Sequence, residues 1–181
     1  MDVLRSDQRP WVFTTNVQTW SPLTISDDGA NVIINFMLIN TGKSPAKFVN
    51  IEGKFFYSNA TSKDIYEGWS VCDALRDKSF VAGTVIFPNH QDASNHLFVM
   101  DAASVKAWKE WKPGMVGAPM IVGCIDYIFG ESPVHHQTRF IYELDKPGSA
   151  RNFYRLDSAS GQIPANEVAL AVNPLLAKDA D

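Results

Sequence analysis

The chain has 181 residues, 45% of them hydrophobic and 20% charged, enough apolar material for one packed domain and too much for global disorder. The formal net charge is −4 and no basic run occurs, which excludes the phosphate-neutralising surface of a nucleic-acid binder and the polybasic patch of an anionic-membrane binder. No apolar run approaches the roughly 18 residues that span a bilayer, and the start, Met1 to Asp7, lacks a secretory core.

Residues 1–9 are polar and read as a flexible N-terminal segment. Pro10 to Val17 reads as a first strand with proline at its start, Leu23 to Ile25 as a short extended piece, and Asp27-Asp28-Gly29 as a turn. Ala30 to Asn40 is the clearest strand. Val32, Ile34, Phe36 and Leu38 make one wholly apolar face, and Asn31, Ile33, Asn35, Met37 and Ile39 make a mixed one. After the turn Thr41 to Pro45, Ala46 to Tyr57 returns as a strand. Its apolar phase slips between Phe48 and Ile51, which predicts a bulge near Asn50, with Gly53 as the alternative. Asn59-Ala60-Thr61 matches the glycosylation acceptor pattern, a match frequent by chance. From Lys63 to Arg76 the period changes: Ile65, Trp69, Cys72 and then Leu75 or Arg76 recur at steps of three and four, predicting a short amphipathic helix with Cys72 on its buried face, although Gly68 counts against it.

Ser79 to Pro88 reads as a strand, Asn89 to Asn95 as a polar loop, and His96 to Met100 as a short strand. Asp101 to Lys112 reads as a second helix, capped by Asp101, with Val105, Trp108 and Trp111 on one face and Pro113-Gly114 ending it. Ala118 to Leu144 holds two runs rich in β-branched and aromatic residues around Gly130 and Pro133, the pattern of a β-hairpin. Lys146 to Ser149 is a turn, Asn152 to Leu156 a candidate edge strand, and residues 158–181 a C-terminal tail. Many short strands with turn residues between them and only two short helices predict an all-β, antiparallel sandwich over residues 10–157.

The hairpin concentrates the polar chemistry. Pairing Phe129 with Val134 sets Tyr127 opposite His136 and Ile125 opposite Thr138 on a mostly apolar face. The other face carries Cys124, Asp126, His135, Gln137 and Arg139, with Asp126 opposite Gln137 and Arg139 on the diagonal, within ion-pair reach. Neighbouring histidines on a strand point to opposite faces, so a metal-dependent enzyme using His135 and His136 needs ligands from elsewhere, such as His90 or His96. The order Cys124, Asp126, His135 resembles a thiol nucleophile with its base, but a mid-strand cysteine is not where thiolates are activated. The two cysteines, Cys72 and Cys124, are either separate buried thiols or one bridge, and spacing alone does not choose. No phosphate loop, paired metal motif or nucleophile elbow occurs, so no catalytic residue, metal or cofactor is assigned. The candidate ligand or partner residues are Asp126, His135, Gln137 and Arg139, with Trp108 and Trp111 if that pair is exposed; core packing is the ordinary role of the tryptophans.

Gln8-Arg9-Pro10-Trp11-Val12, Leu38 to Ala46 with its Asn40-Thr41-Gly42 turn, Val122 to Tyr127, and His135-His136-Gln137-Thr138 with Phe140 and Tyr142 together resemble a family of bacterial envelope-associated proteins with no established activity. The resemblance covers residues 8–145. It implies an immunoglobulin-like sandwich, a periplasmic or envelope-facing location and, in many members, a membrane helix and stalk outside such a domain, so a membrane anchor would lie outside this chain. An oxidising periplasm favours a Cys72–Cys124 bridge; a complete chain with both cysteines free would instead be cytoplasmic. The function expected is a non-enzymatic interaction module with an unknown protein partner. The alternatives are a small-molecule or carbohydrate binder and the metal-dependent enzyme.

Overall fold

In strand β3 (Gly29–Asn40) every second side chain is withdrawn from water: Ala30, Val32, Ile34, Phe36, Leu38 and Asn40 are buried, and the residues between them are not. A computed structural model describes residues 8–58, 62–76, 78, 82–110, 117–131, 133–148 and 161–172. Strand β3 centres a first antiparallel sheet. One of its edges carries β1 (Val12–Thr19) and β2 (Leu23–Ile25) in succession, with β9 (Gly161–Ile163) beyond β2; the other edge carries β6 (Gln91–Asp101). The second sheet runs β10 (Ala169–Val172), β8 (His136–Asp145), β7 (Ala118–Ile128), β4 (Ala46–Ser58), β5 (Thr84–Ile86), also antiparallel. The main core lies between the sheets, with Val32, Ile34, Phe36 and Leu38 meeting Ile51, Phe55, Ile125, Tyr127, Phe140 and Tyr142, the interdigitation expected of two stacked sheets.

Helix α1 (Ser62–Asp73) adds a third layer on the outer face of the second sheet, where Ile65, Trp69 and Cys72 pack on Met120, Val122, Cys124 and Ile141. This explains why β7 is buried along almost its whole length: core covers one face and helix the other. Gly68 marks the closest approach, since a Cβ there would stand 2.8 Å from Val122. Helix α2 (Ala102–Lys109) follows β6. The Asp101 carboxylate caps it by accepting from the Ser104 amide, and Val105 and Trp108 are buried. No helix among the described residues is long and apolar enough to cross a membrane.

The expected bulge is present. Lys47 pairs with Ile128 and Asn50 with Asp126, so β4 carries one extra residue there, and Phe48 takes φ 53°. Gly53 is not the irregularity. It lies opposite Gly123, where the two backbones approach too closely for side chains.

Three expectations are corrected. Residues 91–95 are strand, not loop: β6 pairs β3 without a register shift from Asp101 to Gln91, and at a sheet edge polar side chains remain solvated while the ladder holds the backbone. Residues 161–172 are not a tail, because β9 and β10 extend the two sheets, so the sandwich runs past residue 157 to at least Val172. Trp108 is 3% exposed in the main core and offers no surface. The glycosylation pattern, Trp111, Pro113-Gly114 and the strand expected at 152–156 lie outside the described residues.

Candidate functional site

The polar residues predicted on the hairpin meet the last turn of α1. Hairpin register is as expected, with Tyr127 opposite His136, Asp126 opposite Gln137 and Ile125 opposite Thr138. Cys72, on the buried side of α1, is bonded to Cys124 of β7, with Cα atoms 6.0 Å apart, which chooses the bridge over two free thiols. The sulfur of Cys124 is therefore no thiolate, and the nucleophile reading loses its first member.

Around the bridge runs a closed hydrogen-bond network. Asp126, 1% exposed, accepts from the Gln137 side-chain amide at 2.8 Å on one carboxylate oxygen and faces His135 Nδ1 at 2.8 Å with the other. The same Gln137 amide nitrogen donates to the Cys72 carbonyl at 2.7 Å, one of the carbonyls that a helix end leaves without an intrahelical partner. Gln137 Oε1 accepts from Arg76 Nε at 3.4 Å. His135 Nε2 donates to the Lys78 carbonyl at 3.0 Å. Both ring nitrogens thus face oxygen acceptors.

A histidine bonded to a buried carboxylate is the base–orienter half of a catalytic triad. Here the remaining nitrogen is spent on a backbone carbonyl, so the ring has no site from which to take a nucleophile's proton. What the arrangement does chemically is fasten the C-terminal turn of α1 to β7 and β8.

Arg139 differs from expectation. It donates to Asp73 at 2.6 Å rather than to Asp126, and its guanidinium faces the Trp69 ring at 5.1 Å. Asp126 already has a partner on each oxygen, whereas Asp73 stands half-solvated one residue beyond Cys72. Asp73, Arg76 and the Lys78 carbonyl are the partners that sequence reasoning missed; the helical period that placed Cys72 inward also fixed Asp73 beside it. His136 turns to the opposite face, stacked near Tyr127 and Phe129. His96 lies on β6 of the other sheet and His90 just before that strand, and among the described residues no three His, Cys, Asp or Glu side chains converge to hold a metal ion. Burial holds His96 below the usual histidine range against the opposing pull of Glu52, and burial raises the Tyr127 and Tyr142 phenols.

Two of the open surfaces among the described residues have an apolar lining suited to binding. The outer face of the first sheet carries a cross-strand stripe: Trp20, whose amide donates to the Ile33 carbonyl, then Ile33, then its pair Leu97, with Val99 one pair further along β6. At one end of the sandwich, Ser44, Pro45, Lys47, Phe129, Val134 and His136 line an open cleft of about 950 Å³. Comparison with family models, curated proteins and solved structures finds no match to this chain.

Proposed function

We propose that this chain is a non-enzymatic interaction module with an immunoglobulin-like sandwich, working in an oxidising compartment such as the bacterial cell envelope. The strand order supports the fold reading: β1–β3–β6 against β5–β4–β7–β8 follows the A-B-E and C′-C-F-G connectivity of such domains. The Cys72–Cys124 bridge supports the compartment.

The observation that carries the function is the stripe Trp20–Ile33–Leu97, in which Trp20 and Leu97 stand exposed on either side of the half-buried Ile33. A contiguous apolar strip of that kind marks a partner site, and its aromatic anchor has the chemistry of an interface hot spot. The test is a photo-crosslinking residue at Gln18, beside Trp20 on this face, with a control at exposed Tyr66 of α1. In the native cell the Gln18 position yields a discrete adduct that Trp20→Asp abolishes; equal labelling from both positions overturns the assignment. Thiol titration of the denatured native protein finds no free thiol, and two free thiols would remove the oxidising compartment.

A second reading rests on the end cleft, whose volume and mixed lining suit a small molecule or carbohydrate. A thermal-shift ligand screen separates the two, because a ligand of the cleft raises the unfolding temperature by mass action.

A further inference from the structure

We propose that β6 pairs edge to edge with β6 of a second copy of this chain, antiparallel about a two-fold axis, joining two first sheets into one continuous sheet. Strand edges expose unpaired amides and carbonyls, and proteins blunt them with short strands, bulges, prolines or lysines. The other outermost strands of the two sheets follow that rule. β5 and β9 span three residues each and β10 four, while β1 breaks register between Thr14 and Asn16. β6 does not. It is 11 residues long, holds its ladder to β3 without a shift, and contains no lysine, arginine or proline. Among the described residues no strand pairs its free edge, the edge on which a seven-stranded immunoglobulin domain carries strand D. Leu97 and Val99 stand 55% and 63% exposed beside it.

Charge selects the occupant. The acidic side chains of β6 are Asp92 and Asp101, near its two ends, and each is engaged within its own chain: Asp92 accepts from the Thr84 hydroxyl and Asp101 caps α2. The stretch between is neutral apart from His96, which turns toward the core side of the strand with its ring tilted against Phe98, so the strand gives a charged foreign segment nothing to match. A two-fold centred on Phe98 sets Leu97 against Val99 of the partner subunit, twice, and Asp101 against Asn95 of the partner subunit, with no like charges opposed. The ladder stops where α2 begins. Because the contact is isologous it closes at two copies instead of growing into a fibre.

The experiment is sedimentation velocity on the purified, oxidised full chain over a wide concentration range, with hydrogen exchange at both extremes. The expected result is a mass of two chains at high concentration, with amides 95–101 more protected than in dilute solution. The double variant Leu97→Lys and Val99→Lys changes only exposed side chains and places lysines opposite one another. It sediments as a single chain with an unchanged unfolding midpoint, while Trp20→Asp, away from the edge, still pairs. A single-chain mass at every concentration overturns the proposal, as does a dimer that survives the lysine variant. Either failure leaves the Gln18 crosslinking result standing on its own.

Discussion

Asp126 is a buried carboxylate whose setting is a set of hydrogen bonds to its own chain. Both of its oxygens are engaged, and through Gln137 it is coupled to the end of α1. Removing the carboxylate takes one hydrogen-bond partner from each of His135 and Gln137, and each buried polar group so orphaned costs roughly 1–3 kcal/mol. Asp126→Ala is accordingly expected to lower the unfolding free energy by about 3 kcal/mol in urea titration, and a loss below about 0.5 kcal/mol would show that the network holds nothing. The pairing of Asp126 with Gln137 was legible, because alternation plus one turn fixes a hairpin's register. Arg139 was not. From the strand alone Asp126 is its nearest anion, but once both oxygens of that carboxylate are taken the guanidinium turns to Asp73, which only the docked helix brings within reach.

At the scale of elements, α1 depends on its attachments. It is twelve residues long, too short to persist alone in water, and it is held by the bridge, by the Gln137 clasp at its last turn and by the Gly68–Val122 contact. Cys72 and Cys124 are 52 positions apart, and bridges closing loops of that size contribute roughly 2–4 kcal/mol. Replacing both cysteines by alanine is expected to lower stability by about that amount, with amide exchange in α1 accelerating far more than in β3. Uniform acceleration across both elements would mean that the bridge does not act through the helix. The three-and-four spacing of Ile65, Trp69 and Cys72 revealed α1 although its glycine argued against it; the glycine is explained by contact with the sheet, not by helix propensity. The first half of β6 was hidden for the converse reason. Gln91 to Asn95 carry turn-like side chains, and their extended conformation comes from β3, a long-range partner that composition does not encode.

For the whole molecule, the two sides of the sandwich are unlike. On one side the chain passes from β9, paired with β2 in the first sheet, through the short 3-10 turn Ala165–Glu167, to β10, paired with β8 in the second. The Thr19 hydroxyl donates to the Ala165 and Val168 carbonyls there, and Val168 is buried in the core shared by both sheets. This segment fastens the layers together along the side away from β6. Its strands, Gly161–Ile163 and Ala169–Val172, are too short to show a period, so the alternation that marked β3, β4 and the hairpin could not mark them. A chain ending at residue 160 would lose Ile163, Val168 and Leu170 from the core and uncover the edges of β2 and β8. Burying one such side chain stabilises by roughly 1.5–3 kcal/mol, so the shortened chain is expected to unfold at clearly lower denaturant concentration and, with two new open edges, to aggregate on concentration. The check is a urea midpoint together with light scattering. An unchanged midpoint would show that β9 and β10 rest on the sandwich without holding it, and that the boundary first read at residue 157 marks where the folded unit ends.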